Sequence, residues 1–359
     1  MHMADALISP AVGGTMWLVS GGLLAYCARH IRTTASRDHL TPLMGVLGAF
    51  IFAAQMINFS IPATGSSGHL GGGLILAILL GPHAAFLVMA SVLTVQALFF
   101  QDGGLLALGC NIFNLGFYSA FVAYPLIYRP LVRDRFNRPM AWWAAVLAAV
   151  VSLELGAFSV VLQTKASGIT ELPFGTFAAL MLPIHMAIGI GEGLATAAVI
   201  AFVSKTYPEV LSRVPATPAR TSLRPLLALF ILLALIIGGV LSWFASANPD
   251  GLEWSIAWIT GKETVEGKPG EIHQRLAEIQ EKTAILPDYG FRSSDAESTG
   301  TETSSEESPA PAWPQVDAGT TLAGLVGSLL TLALAVLIGF AARGRTTPTN
   351  STASEPSSP

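Results

Sequence analysis

Eight long apolar runs, interrupted only by Glu154 and Glu192, constrain this chain more than any other feature: residues 11–27, 42–59, 70–100, 105–128, 141–162, 174–203, 225–245 and 320–342. A helix needs roughly 20 apolar residues to cross the hydrocarbon core of a bilayer. Seven of the runs suit a single crossing, and 70–100 is too long for one ordinary helix. Of the 359 residues, 52% are hydrophobic and only 12% charged, and the mean hydropathy is +0.58. Soluble domains carry about 25% charged residues. The expectation is an all-α polytopic membrane protein. Cys27 and Cys110 both lie inside apolar runs, where a thiol packs as a small apolar group, so neither a disulfide nor a metal pair is implied.

Charge sets the expected topology. Thirteen of the 19 Lys and Arg fall in 29–37, 129–138, 205–224 and at Arg343 and Arg345, and the positive-inside rule makes these segments cytoplasmic. An even number of crossings then separates the first two, so 70–100 crosses twice or not at all. Proline breaks a helix, and Gly81-Pro82 is expected to join two helices there, with a re-entrant hairpin as the alternative. The count is nine crossings, seven before Pro225 and two after it, with the N-terminus outside and the C-terminus inside. Segments 59–71, 102–104, 163–173 and 246–318 then share the outer side with the N-terminus. The first ten residues hold Asp5 and no Lys or Arg, unlike the positive start of a cleavable signal peptide, so the N-terminus is expected to be retained.

Segment 246–318 holds 14 acids and five bases, a balance that excludes nucleic acid as a partner. Within it, Ile272, Leu276 and Ile279 predict a helix over 272–282, and His273 reads as a solvated residue. The Ser/Thr/Glu/Pro-rich stretch 291–318 and the tail 346–359 read as disordered.

Histidine at position 2 permits chemistry that an internal histidine does not. The α-amine of Met1, the amide nitrogen of His2 and its imidazole can close fused small rings around one ion. Such nitrogen donors favour Ni²⁺ or Cu²⁺ over Zn²⁺ and also accept Co²⁺. The alternative is an ordinary surface histidine. A further nitrogen comes from His69, in the glycine-rich loop Gly65-Ser66-Ser67-Gly68-His69, on the same expected face. Thr64, Ser66 and Ser67 are candidates for orienting its imidazole. Asp5 is expected to hold the N-terminal loop by accepting backbone N–H groups. Asn111 and Asn114 could bond that loop or the His69 loop, or simply join helices.

Met1-His2-Met3-Ala4-Asp5-Ala6-Leu7-Ile8-Ser9-Pro10, Gly65-Ser66-Ser67-Gly68-His69 and Asn111-Ile112-Phe113-Asn114-Leu115-Gly116 resemble the substrate-capture subunits of energy-coupling-factor nickel and cobalt transporters, the NikM/CbiM family. The resemblance covers about residues 1–215, with Ala4 and Ala6 where many members have Pro and Gly. It implies Met1, His2 and His69 as ligands and Ni²⁺ or Co²⁺ as the transported substrate, with no permanent cofactor. It further implies a membrane T component and cytoplasmic ATPase subunits as partners, and a location in the inner (plasma) membrane. Asn248-Pro249-Asp250-Gly251-Leu252-Glu253-Trp254 and Leu286-Pro287-Asp288-Tyr289-Gly290-Phe291 resemble the PDGLE-type module, NikN, in which two helices flank an extracytoplasmic loop. The domains are then 1–215, a module over 216–345 with its outer segment at 246–318, and the tail 346–359. By this resemblance the fusion, of NikMN type, leans toward nickel; cobalt uptake for cobalamin synthesis is the alternative. Asp250 and Glu253 would sit at the membrane surface and are the module's candidates for a part in loading.

Glu154, His185 and Glu192 lie inside expected helices and are candidates for a cation path or second metal site, against the plainer reading of interhelical contacts. A metal-independent membrane enzyme using these three is a rival function. A self-sufficient secondary transporter is another. Gly261-Lys262 and Gly267-Lys268 are followed by Glu and Pro, so the chain lacks a phosphate-cradling P-loop.

Overall fold

The computed structural model describes residues 2–33, 40–133, 135–136, 139–211, 223–265, 270–292 and 313–342. Met1, the tail 346–359 and most of 291–318 lie outside the described residues. The protein is an all-α bundle of α1 (Pro10–Thr33), α2 (Leu40–Gln55), α3 (Gly73–Leu80), α4 (Pro82–Phe99), α5 (Leu108–Val132), α6 (Pro139–Ser167), α7 (Phe174–Thr206), α8 (Arg224–Gly239) and α11 (Ala318–Ala341), with α9 (Gly251–Thr260) and α10 (Glu271–Thr283) between the last two. Six of these, α1, α4, α5, α6, α7 and α11, are long and apolar enough to cross a membrane. The apolar helices α2 and α8 have 16 residues each, or about 24 Å.

The long run 70–100 divides where the proline predicts, at Gly81 (φ +85°), and Pro82 opens α4. Its first half is shorter than expected. α3 has 8 residues, about 12 Å, because 69–72 is irregular backbone rather than helix. Three successive glycines, Gly71 to Gly73, are poor helix formers, and the first two donate their N–H groups elsewhere. The run is therefore one full helix preceded by a half-length one that starts from a loop.

α2 is buried on all sides, 14 of its 16 residues, as befits a helix apolar around its whole circumference. It touches α11 directly, with Gly45 against Leu332 and Gly327 under the ring of Phe52. α8 and α11 cross where Gly238 and Gly324 bring their backbones together. α6 and α7 meet in the same way, Gly189 against Val150 and Gly193 against Val146. Small residues at these crossings let apolar helices approach closely enough for dispersion to hold them. The last helices of the chain thus complete the bundle begun by the first ones.

Between α2 and α3 the loop forms a small antiparallel hairpin, β1 (Phe59–Ser60) with β2 (Ser67–Gly68). α9 opens with a capping box: Asp250 Oδ1 accepts the Leu252 and Glu253 N–H groups, both at 2.8 Å, while Glu253 accepts that of Asp250. α10 is the helix expected over 272–282. His273 on it is not simply solvated, for its Nε2 lies 2.9 Å from the Ile8 carbonyl.

A side chain at Gly324 would overlap the Gly238 carbonyl. Gly324→Val is expected to destabilise the bundle by about 1–3 kcal/mol, the usual cost of overpacking, and to lower its thermal unfolding midpoint in detergent.

Candidate metal centre

The N-terminal segment is held in place by its own backbone. Asn111 Oδ1 accepts the Met3 N–H at 2.8 Å, while its Nδ2 donates to the Met3 carbonyl at 3.2 Å. The same carbonyl accepts the Gly104 N–H at 2.9 Å. Asp5 accepts the Ala107 N–H at 2.9 Å, and Met3, Leu7 and Ile8 are buried. The close approach requires glycine in the facing loop: a Cβ on Gly104 would overlap the Asp5 carboxylate, and one on Gly103 would lie 2.9 Å from Asn111 Nδ2.

This docking stacks His2 on His69, with ring centroids 5.1 Å apart and planes within 10°. His2 Nδ1 lies 3.1 Å from Asp102 Oδ1, and its Nε2 is buried without a partner among the described residues. His69 Nδ1 lies 3.1 Å from the Leu70 carbonyl, which makes Nδ1 the protonated nitrogen of the neutral ring and leaves the lone pair on Nε2. Burial, reinforced by neighbouring positive charge, lowers the His69 pKa to about 4, so the ring is neutral at physiological pH. Burial alone would raise the Asp102 carboxyl. The charge and hydrogen bond of His2 and the hydroxyl of Tyr289 hold it well below the usual carboxylate range.

Behind His69, Glu192 on α7 accepts the Gly71 and Gly72 N–H groups at 2.8 and 3.1 Å. Gln55 donates to the Gly71 carbonyl at 2.8 Å and accepts from Gln96 at 2.8 Å. These bonds satisfy backbone groups that water does not reach. On its other side the loop is bound to the segment before α9: Ser67 donates its N–H to the Pro249 carbonyl at 2.8 Å and its hydroxyl to the Asn248 carbonyl at 2.7 Å.

The residues expected to form the site divide as follows. Met1 lies outside the described residues. His2 and His69 come together. Asp5 and Asn111 touch the N-terminal segment. Asn114 instead pairs its amide with that of Gln163, at 2.8 and 3.0 Å, and lies 3.8 Å from Met3 Sδ. The hydroxyls read as orienting His69 go elsewhere: Thr64 bonds Ile61, Ser66 its neighbour Ser67, and Ser67 the segment before α9. The Leu70 carbonyl faces the imidazole in their stead. Glu192 spends both oxygens on the loop rather than on Glu154 or His185. His185 is buried, with Nδ1 2.7 Å from the Met181 carbonyl, and lines a small cavity with His69, Asp250 and Gly251.

Sequence reasoning missed Asp102. As the acid of the short outer connection 102–104, it was visible in the charge pattern, but its partner is 100 residues away. Among the described residues no three His, Cys, Asp or Glu side chains are arranged to hold a metal ion, so these two imidazoles do not complete a side-chain shell by themselves.

Residues 2–210 match the family described as the cobalt uptake substrate-specific transmembrane region, and residues 224–344 match the PDGLE domain. A putative fused nickel transport protein of Archaeoglobus fulgidus is 33% identical over 348 residues, covering 95% of this chain and 97% of its own. The fused nickel transport protein of Rhodobacter capsulatus is 29% identical, covering 80% and 88%. A cobalt transport protein of Sorangium cellulosum is 28% identical over 59% of this chain and 95% of its own. A crystal structure of a truncated transition metal transporter superposes with a TM-score of 0.50 at 27% identity, covering 57% of this chain and 99% of that one.

Asn111→Leu leaves the Met3 N–H without its partner, while the Met3 carbonyl keeps the Gly104 N–H. It is expected to cost about 1–3 kcal/mol for the buried N–H left unpaired, and to speed hydrogen exchange at the Met3 amide relative to the helix interiors.

Proposed function

Because the chain belongs to the cobalt-uptake substrate-specific transmembrane family and continues into a PDGLE domain, we propose that it is the ion-capturing subunit of an ATP-driven Ni²⁺ importer in the inner (plasma) membrane. The chain is a multi-pass membrane component of metal transport rather than an enzyme. The observation that carries the reading is the stacking of His2 on a neutral, half-buried His69. A neutral imidazole offers its lone pair to a cation without first losing a proton.

In the proposed site the α-amine of Met1, the amide nitrogen and imidazole of His2 and Nε2 of His69 ligate the ion. Four nitrogens suit a square-planar ion, which favours Ni²⁺. The Nδ1 of His2 that a fused chelate uses faces Asp102. Binding through Nδ1 therefore requires the ring to give up that contact, or to turn about Cβ–Cγ and shift so that Nε2–H faces the carboxylate instead. The second arrangement is common for metal-bound histidine, with a carboxylate behind the far nitrogen. Asn111, Asp5 and Glu192 keep the two ligand-bearing segments in register without touching the ion.

Nickel over cobalt is supported by the relatives from Archaeoglobus fulgidus and Rhodobacter capsulatus, which are matched over most of both chains and named as fused nickel transport proteins, whereas the shorter relative from Sorangium cellulosum is named for cobalt. Cobalt capture is the second reading. Transport energy comes, in this proposal, from separate ATPase subunits acting through a membrane T component, since the chain has no phosphate-binding loop.

One residue added before Met1, His2→Ala and His69→Ala should each weaken Ni²⁺ binding, measured by calorimetry with a competing chelator, by more than the about 10–100-fold that loss of an outer-shell partner costs. Affinity unchanged by the extension overturns the chelate. Uptake should also vanish in cells that lack any coupling ATPase; persisting uptake would favour a secondary transporter.

A further inference from the structure

Two strained turns meet beside the stacked histidines. Gln101 (φ +58°) precedes Asp102, while Asp288 (φ +50°) and Tyr289 (φ +61°) are consecutive residues in the left-handed region. Residues other than glycine are held there only when surrounding contacts over-determine them, and such positions cluster at functional sites. The contacts are present. The Ile285 and Leu286 N–H groups donate to the Phe99 carbonyl at 2.9 and 3.2 Å, and the Asp288 N–H donates to that of Phe100 at 2.8 Å. Gln280 donates to the carbonyls of Ala97 and Gly103 at 2.8 and 2.7 Å. The ring of Tyr289 stacks on Phe100 at 5.1 Å.

All of this aims one hydroxyl. Tyr289 donates to Asp102 Oδ2 at 2.6 Å, and the other oxygen of that carboxylate, Oδ1, faces His2 Nδ1 at 3.1 Å. A carboxylate with one oxygen fixed has lost its freedom to rotate, so the direction in which it meets the imidazole is set by Tyr289.

We infer that Tyr289 is a positioning residue of the ion site, acting through Asp102, which faces Nδ1 of the ion-free His2 ring and takes its Nε2–H once Nδ1 holds the ion, so that the second PDGLE stretch completes the capture site made by the first part of the chain. The inference rests on the proposed ligation by His2. It assigns Tyr289 no contact with the ion, and a role that phenylalanine, which keeps the ring stack but lacks the hydroxyl, cannot fill.

The test is a double-mutant cycle on the full chain with its native start, reading Ni²⁺ affinity by calorimetry. Tyr289→Phe is expected to weaken binding about 10–100-fold, the range for loss of an outer-shell partner. Asp102→Asn should cost at least as much, and the double variant no more than Asp102→Asn within about 2-fold, because residues acting in series are non-additive. Losses that multiply in the double variant, or a Tyr289→Phe affinity within about 2-fold of native, overturn the relay. Melting temperatures of the three variants show whether each is folded, and a variant that fails to fold is replaced by the ion-free measurement. That measurement is the ¹⁵N spectrum of the His2 ring in native and Tyr289→Phe chains. A shift of its Nδ1 resonance supports the relay, and identical spectra overturn it. The same spectrum decides the case if the native chain binds no ion, an outcome that would instead remove the ligation reading.

Discussion

Glu192 is the residue on which the rest of the site depends. Irregular backbone survives inside an apolar bundle only where protein groups satisfy every N–H and C=O that water would otherwise meet. The loop 69–72 is such a backbone, and the Glu192 carboxylate takes the N–H groups of Gly71 and Gly72 while Gln55 takes the Gly71 carbonyl. Without that pair the loop would have either to become helix or to leave the bundle, and His69 would go with it. The intramembrane acid is thus a backbone partner, and a chemical role in proton or ion transfer is not needed to explain why a carboxylate lies so deep in α7.

The spans were legible because membrane solvation writes itself into the sequence as uninterrupted apolar length, and a proline after glycine marks a break in any solvent. The shortness of α3 was not legible. Leu70 and the glycines after it are as compatible with an apolar helix start as with an extended loop, and the deciding factor, a carboxylate 120 residues later in the chain, has no local signature. The meeting of His2 with His69 was accessible through topology, since parity put both on one face. Ser67 reads as a loop residue beside His69, but the segment that takes its hydrogen bonds belongs to the far end of the chain. Asp102 and Tyr289 fail for the same reason. Each is ordinary in its own neighbourhood, and their bond spans 187 positions.

The electrostatics of the site follow from burial. A stacked pair of imidazoles is tolerable in a dehydrated place only if the pair carries little net positive charge. Desolvation keeps His69 neutral, and Asp102 balances whatever charge His2 carries. A second carboxylate, Asp250, lines a small cavity together with His69. Burial would raise its pKa, yet neighbouring positive charge and the N–H groups of the α9 cap hold it well below the usual carboxylate range. Two anionic side chains around two imidazoles make a place where a dication replaces lost hydration by fixed charge as well as by ligand nitrogen.

Each polar bond between the PDGLE segment and the ligand loops contributes only about 0.5–1.5 kcal/mol net. What keeps them formed is the packing of α11 on α2, with Gly45 and Gly327 at the crossing, and of α8 on α11 at Gly238 and Gly324. Covalent fusion adds to this by making the encounter intramolecular, which raises the effective concentration of the module at its partner surface. Apolar helix packing supplies the affinity, and the hydrogen bonds of Ser67, Gln280 and Tyr289 are then free to supply register. This division of labour accounts for a polar framework that is thin in energy and exact in position.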